Sequence, residues 1–597
     1  MQCILITSHA QDKFPPYEKI VHEFFGRYDL KENQNQQDIR FVKKSEGYFI
    51  EEYDRENRVF SVGGLFWSAK KGKYKKVKFP KGKNSENEII EKVLKSWGAD
   101  KFDLYPYYGY VNWEQDVIDY FESKEHLTND EIYALGRSYS NAATNLINNN
   151  TGFADTSRMF KLLEYGNNQF DTEEIARYRH YRHKAIETFG KLCELEPDYK
   201  TIVGSICNKY YNEFLTSFLD IRVYHNDIEA IKELPDSIYS SFYLEMARNY
   251  LNSCDSNSIL FTNGDNDTYP LLYLQSKYNY RPDILVVNLM LLNNNNYVNH
   301  FRYGKILESD SLRMVLSPKN YSGYKQAYTL IKQNSADNGF IDLAEALKLI
   351  RDESPLTENN VYPDYRYLVS DKLKISLDST RTIKFLLENR YISKGELIAL
   401  DMINSNISER PVYFLYNKSL GLTDNMELNG FAYKLVDSTN IINDYQLFGG
   451  IKANKTFNQL MLDFKFGENI ESDVNTQAIV ISTYQRSFCH LAKYYADSGE
   501  KDSCLLVIKR YFEILPNSIY KMDLGLLPMI DAAYDAGLIF EGDSIAATIL
   551  NNLDSKINTQ ELSERDVQVI RYTAGELKNL TKNEELLQSI DEILSKI

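Results

Sequence analysis

Asp265 and Asp267 stand two residues apart in the turn Asn263-Gly264-Asp265-Asn266-Asp267-Thr268, directly after the apolar run Ile259 to Thr262. Two carboxylates, two carboxamides and a hydroxyl offer oxygen ligands to a hard cation such as Ca²⁺, or hydrogen-bond anchors to a sugar hydroxyl. Placed toward one pocket, the pair could also serve as general acid and base. The same residue types punctuate structure: Gly264 permits backbone angles that a Cβ disfavours, and Asp267 or Thr268 can cap the free amides of a following helix. Asn263, Asp265, Asn266, Asp267 and Thr268 are therefore the candidate ligand-binding residues, Asp265 and Asp267 the candidate metal ligands, and a structural cap the competing reading. The calcium loop of a helix-loop-helix hand is not met, because the Gly and distal Glu are missing at the required spacing.

The elements that must position this turn are legible around it. Ile259 to Thr262 and Ile284 to Leu289 read as buried strands, and the residues between them as a helix opening with Pro270. Open α/β sheets bind ligands beyond such strand ends. Lys394 to Asn406 reads as a helix leading into the strand Pro411 to Tyr416, and Gly430 to Val436 as a further strand. These four strands suggest one mostly parallel sheet.

Length and composition bound the rest. A chain of 597 residues should hold more than one domain, and 43% hydrophobic residues suffice for sizeable cores. A net charge of −15 argues against nucleic acid as a partner, since phosphate contacts need a basic face. The lysines at 70, 71, 73, 75, 76, 78, 81 and 83 alternate with Tyr74, Val77 and Phe79, which suits a solvated hairpin edge. No segment reaches the roughly 18 apolar residues of a membrane span. Cys3 to Thr7 is apolar, and Ser8 and Ala10 fit a signal-peptidase site, so residues 1–10 read as the remnant of a secretion signal. Export to the periplasm or the outer membrane is the corresponding expectation.

Cys193, Cys207, Cys254, Cys489 and Cys504 show no metal spacing and read as small buried residues on helices. His180 and His183 lack the Glu of a zinc-protease motif, and there is no phosphate loop, nucleophile elbow or dinucleotide fingerprint. No cofactor is called for beyond a possible divalent cation at the aspartates.

Aromatic and β-branched runs at Ile39 to Val42, Tyr48 to Tyr53 and Val59 to Trp67 indicate a small α+β domain over 11–125. A helical, repeat-like region follows over 126–250, where Ala185, Phe189, Leu192 and Pro197 have the spacing of the second helix of a tetratricopeptide repeat. The α/β domain occupies 251–440. Over 441–597, Phe488, Leu491, Ala492, Tyr495, Gly499, Cys504, Ile508, Tyr511 and Pro516 fall at the spacings of one roughly 34-residue helical hairpin. Ala492 and Cys504 let paired helices approach, while Phe488, Tyr495 and Tyr511 fill the groove. A looser unit follows at Ala532, Ala533, Tyr534 and Gly537, with Ala546 and Ala547. The expected fold is thus α/β plus α: a central, mostly parallel, Rossmann-like sheet flanked by tetratricopeptide-like hairpins, with a small N-terminal α+β domain.

The blocks FTNGDNDTYPLLYLQ, RPDILVVNLMLLN, DLAEALKLI, DKLKISLD, ISKGELIALDMINSNISERPVYF and MELNGFAYKLV, in this order, resemble the soluble C-terminal part of bacterial protein O-mannosyltransferase-like membrane proteins. The resemblance runs from about Asn249 to Ile597, with Tyr269 where that family has Phe. It implies a stand-alone exported relative of that soluble part. Glycosyl transfer in the family belongs to a multi-pass membrane portion, so the transferase activity is not carried over.

Two functions follow as expectations. One is a non-catalytic binding or scaffold protein of the cell envelope, engaging a protein or glycoprotein through tyrosine-rich helical repeats; 46 tyrosines supply contact area at small entropic cost. The other is a glycan-active or metal-dependent enzyme using the Asp265/Asp267 turn.

Overall fold

The structure is a computed structural model that describes residues 14–15, 19–20, 23, 39–54, 59–75, 110–111, 114–148, 170–201, 204–304, 306–307, 309–322, 326–333, 339–353, 366–416, 420–441, 447–467, 478–559 and 562–597. The expected secretion-signal remnant and Lys76, Lys78, Lys81 and Lys83 lie outside the described residues. The chain divides into two compact units, 1–234 and 235–597.

In the first unit β1 (Ile39–Lys44), β2 (Gly47–Asp54), β3 (Val59–Ser68) and β4 (Lys73–Tyr74) form an antiparallel meander, and β5 (Tyr110–Val111) joins β1 in parallel. The three runs expected as strands are β1, β2 and β3. Lys70, Lys71 and Lys73 are exposed on the turn and edge strand of the last hairpin, where charge discourages further strand pairing. Helices α1 (Glu114–Glu122), α2 (Asn129–Asn148), α3 (Thr172–Leu195), α4 (Ile206–Tyr224) and α5 (Asp227–Ile231) follow, with a short hairpin of β6 (Lys200–Thr201) and β7 (Gly204–Ser205) between α3 and α4. Tyr48, Phe66 and Trp67 of the sheet share one apolar core with Val117, Phe121, Tyr133, Phe189 and Leu192 of the helices.

Two of the cysteines expected as separate buried residues are half-buried and joined. Cys193, in the last turn of α3, forms a disulfide with Cys207, in the first turn of α4, across a Cα–Cα distance of 5.0 Å. Their spacing hides the pair, because the β6–β7 hairpin between them brings the helix ends together. Cys254, Cys489 and Cys504 are buried and free.

The second unit runs α6 (Ser241–Ser253), β8 (Ile259–Thr262), α7 (Asp265–Tyr278), β9 (Leu285–Asn288), α8 (Asn295–Tyr303), α9 (Pro318–Tyr321), β10 (Tyr328–Ile331), β11 (Ile341–Asp342), α10 (Leu343–Arg351), β12 (Tyr367–Leu368), β13 (Lys372–Ser376), β14 (Thr382–Leu386), β15 (Tyr391–Ser393), α11 (Lys394–Asn406), β16 (Val412–Phe414), β17 (Met426–Asn429), β18 (Ala432–Leu435) and β19 (Gly450–Ile451). The central sheet has the order β19-β17-β18-β16-β8-β9. The end formed by β16-β8-β9 is parallel, with Phe414 beside Phe261 and Phe261 beside Val287. Beyond β16 the chain turns back through the β17–β18 hairpin, whose two-residue connection allows only antiparallel pairing, so the sheet is mixed. The four expected strands are all present. Two three-stranded sheets, β12-β10-β15 and β11-β13-β14, complete the α/β part.

Then come α12 (Ala453–Asn458), α13 (Ala478–Asp497), α14 (Lys501–Ile514), α15 (Leu527–Asp535), α16 (Ile539–Thr559), α17 (Glu564–Leu580) and α18 (Glu584–Ser595). α13 and α14 form the expected hairpin, turning at Gly499 (φ +73°), and α15 and α16 turn at Gly537 (φ +68°), backbone angles that favour glycine. Phe488, Leu491, Ala492, Tyr495, Cys504, Ile508 and Tyr511 are all buried. The Phe488 and Tyr511 rings meet edge to face at 5.7 Å, and Tyr484 of α13 stacks on Phe431 beside the sheet at 4.7 Å. Among the described residues no helix is long and apolar enough to cross a membrane.

Candidate functional site

The aspartate turn sits at the carboxyl end of β8, the middle strand of the parallel group. Its helix starts earlier than Pro270: α7 begins at Asp265, with Gly264 as the N-cap and Pro270 inside. The reason lies in Asp267, whose carboxylate turns back to accept the amides of Asn263 at 3.0 Å and Gly264 at 2.8 Å. Those bonds satisfy donors that no helical carbonyl can reach. The Thr268 amide donates to the Gly264 carbonyl at 3.1 Å, which closes the first turn.

Thr268 is equally occupied. Its hydroxyl lies 2.5 Å from the Gly264 carbonyl oxygen and 2.6 Å from the Thr262 hydroxyl, and it accepts from Asn288 Nδ2 at 3.1 Å. All three side chains are buried. This network ties the ends of β8 and β9 to the start of α7. Asn288 and Thr262 were not singled out in the sequence, although a polar residue closing each of the runs LVVN and ILFT was the available sign.

Asp267 is 3% exposed, and Asp265, Asn263 and Asn266 are half-buried. Burial pushes the Asp267 carboxyl up to about 6, against the pull of the backbone amides and with a smaller push from Asp265. Helical residues two apart point about 200° away from each other around the axis, so Asp265 and Asp267 do not face one pocket. Among the described residues no group of three or more His, Cys, Asp or Glu converges as metal ligands. Asp267 and Thr268 are committed to the fold by these bonds, and Asp265 and Asn266 are the more exposed members of the turn.

A second buried titratable group opens α11. Lys394 is 1% exposed, donates to Asn295 Oδ1 at 2.7 Å, and is pushed down to about 7 by burial and then by the charge of Arg366. Sequence reading passed over it because a lysine at a helix start carries no pattern that announces burial.

Residues 243–451 match the family described as TMEM260-associated domain 2. The match spans β8, the aspartate turn, α11 and the whole central sheet, and leaves both ends of the chain outside it. No curated protein and no solved structure matches the chain significantly.

Proposed function

We propose that this chain is an exported, non-catalytic binding or scaffold protein of the bacterial cell envelope, engaging a protein or glycoprotein partner through tetratricopeptide-like helices packed on a Rossmann-like core. The observation that carries the reading is the capping role of Asp267: both of its oxygens hold backbone amides, which removes one member of the only acidic pair that suggested catalysis. The C-terminal helices meanwhile keep Ile539, Phe540 and Tyr572 exposed, with Phe540 at 79%, and large apolar side chains of this kind suit a contact surface. The Cys193–Cys207 disulfide supports a periplasmic or outer-membrane location, since such bonds persist in oxidising compartments.

Affinity isolation from native envelopes tests this directly. Partner recovery should survive the Asp265→Asn, Asp267→Asn double variant and fall sharply in Phe540→Asp. Recovery unaffected by Phe540→Asp and other charged replacements on the C-terminal helices would reject the reading.

The second reading is a glycan-active or metal-dependent enzyme working at the turn. What favours it is a carboxyl held near 6, a range suited to proton transfer near neutral pH. Calorimetric titration with Ca²⁺, Mn²⁺ and Mg²⁺ that gave binding lost in the double aspartate variant would move the assignment there.

A further inference from the structure

Arg486 and His490 lie four residues apart on α13 and so share one face of that helix. The Arg486 guanidinium sits over the Tyr416 ring at 4.2 Å from its centroid. Tyr416 meets Phe448 edge to face at 5.6 Å, Phe448 stacks on Tyr433 at 4.6 Å, and the Tyr433 and His490 rings are 6.3 Å apart. Tyr433 pairs with Phe414 across the sheet, and Tyr416 follows in the bend just beyond the end of β16.

The polar atoms gathered here lack acceptors. Arg486 is half-buried and pairs with no carboxylate among the described residues. His490 is fully buried, and neither of its ring nitrogens has a hydrogen-bond partner; the buried Tyr433 hydroxyl faces the Arg486 guanidinium outside hydrogen-bonding geometry. The Gly449 backbone faces the imidazole outside hydrogen-bonding geometry. Burial, and then the Arg486 charge, press the His490 imidazolium down to about 3, so the ring is neutral and retains one N–H donor. Buried donors left in this state carry an uncompensated desolvation cost, and native proteins answer them with water or a ligand.

We propose that Arg486, Tyr433 and His490 form a binding site for an oxyanion, the phosphate or carboxylate group of a small ligand, walled by Tyr416 and Phe448. A guanidinium, a phenol and an imidazole N–H are all donors to such a group, and the Arg fork matches its paired oxygens. Tyr416, 37% exposed, marks the side open to solvent. The site lies where β16 and β18 meet the first C-terminal hairpin and uses none of the aspartate-turn residues.

The test is calorimetric titration of the full chain with inorganic phosphate and, separately, acetate, with sodium chloride as the ionic-strength control. Saturable binding of phosphate or of acetate is expected, and the arm that binds tells a phosphorylated from a carboxylated ligand. Arg486→Met, which keeps the stem over Tyr416 and removes the charge, should weaken binding about tenfold or more. No saturable heat with either anion, as an ordered water alone would give, overturns the proposal, and so does unchanged affinity in a folded Arg486→Met chain. Should that variant fail to fold, the histidine ring resonances of the ¹⁵N-labelled native chain decide. A buried histidine signal that moves with phosphate or acetate supports the site, and signals that stay fixed under both reject it.

Discussion

Two helical regions with similar spacing of apolar residues are held together by different physics. In the first unit α3 buries Ala185, Phe189 and Leu192, the positions a repeat would bury, yet it also buries Arg182 at 1% exposure. That guanidinium pairs with Glu213 of α4 and donates to Ser140 of α2 at 3.0 Å and to the Tyr178 hydroxyl at 3.1 Å. Lys209 pairs with the second oxygen of Glu213. In the second unit the α13–α14 hairpin is closed by Phe488, Leu491, Ala492, Cys504 and Tyr511, all buried and without ions between them. Apolar packing tolerates small shifts, whereas a buried ion network holds only when every member is present.

The largest expected effect comes from breaking that network. Arg182→Met leaves Glu213 facing Lys209 alone in the core and should cost about 3–5 kcal/mol in urea unfolding of the full chain. Burial pushes the Glu213 carboxyl up, but Lys209 and Arg182 outweigh it and hold it at about 2, below its ordinary 4.5. A depressed carboxyl contributes stability that is present above 4.5 and lost as pH falls through about 2. Arg182→Met should therefore flatten the acid limb of unfolding in this unit. A loss below about 1 kcal/mol would remove the contrast between the two regions.

Leu491→Ala tests the apolar side of the comparison. It should cost about 2–5 kcal/mol with no change in pH dependence, because the loss is transfer energy and a cavity. The disulfide comes next. Cys193→Ser with Cys207→Ser opens a link between residues separated by 14 in sequence, a loop worth about 3 kcal/mol, measured as a lowered denaturation midpoint that reductant reproduces in the native chain.

These differences explain what could be read in advance. The C-terminal hairpin was legible because small and aromatic residues recur at helical spacing and Gly499 marks its turn. The strands β8, β9 and β16 were legible because buried parallel strands are continuous apolar runs. Arg182 and Glu213 were not, since a charged residue inside a helical pattern reads as surface until three helices converge on it. The hairpin β17–β18, which makes the sheet mixed, depends on a two-residue turn whose pairing direction outweighs the parallel bias of its neighbours. At the aspartate turn the residues were identified but their division of labour was not. Which carboxylate faces the backbone depends on where α7 starts, and Pro270 pointed to a start five residues too late.

The smallest effects belong to that turn, and they separate a cap from a ligand site. Asp267→Ala should cost about 1–2 kcal/mol by releasing two amides. The pH dependence has the opposite sign to that of Glu213. Burial raises Asp267 from 3.8 to about 6, so the folded chain takes up its proton first, and stability rises as pH falls across that window and drops again as pH rises through 6. Asp265→Asn removes a like charge and should move the window slightly downward; Asp267→Asn should abolish it. If Asp265→Asn instead leaves the Asp267 titration untouched and abolishes a response to divalent ions, Asp265 serves a ligand independently of the cap, and the turn would combine in adjacent residues the two roles that the two helical regions keep apart.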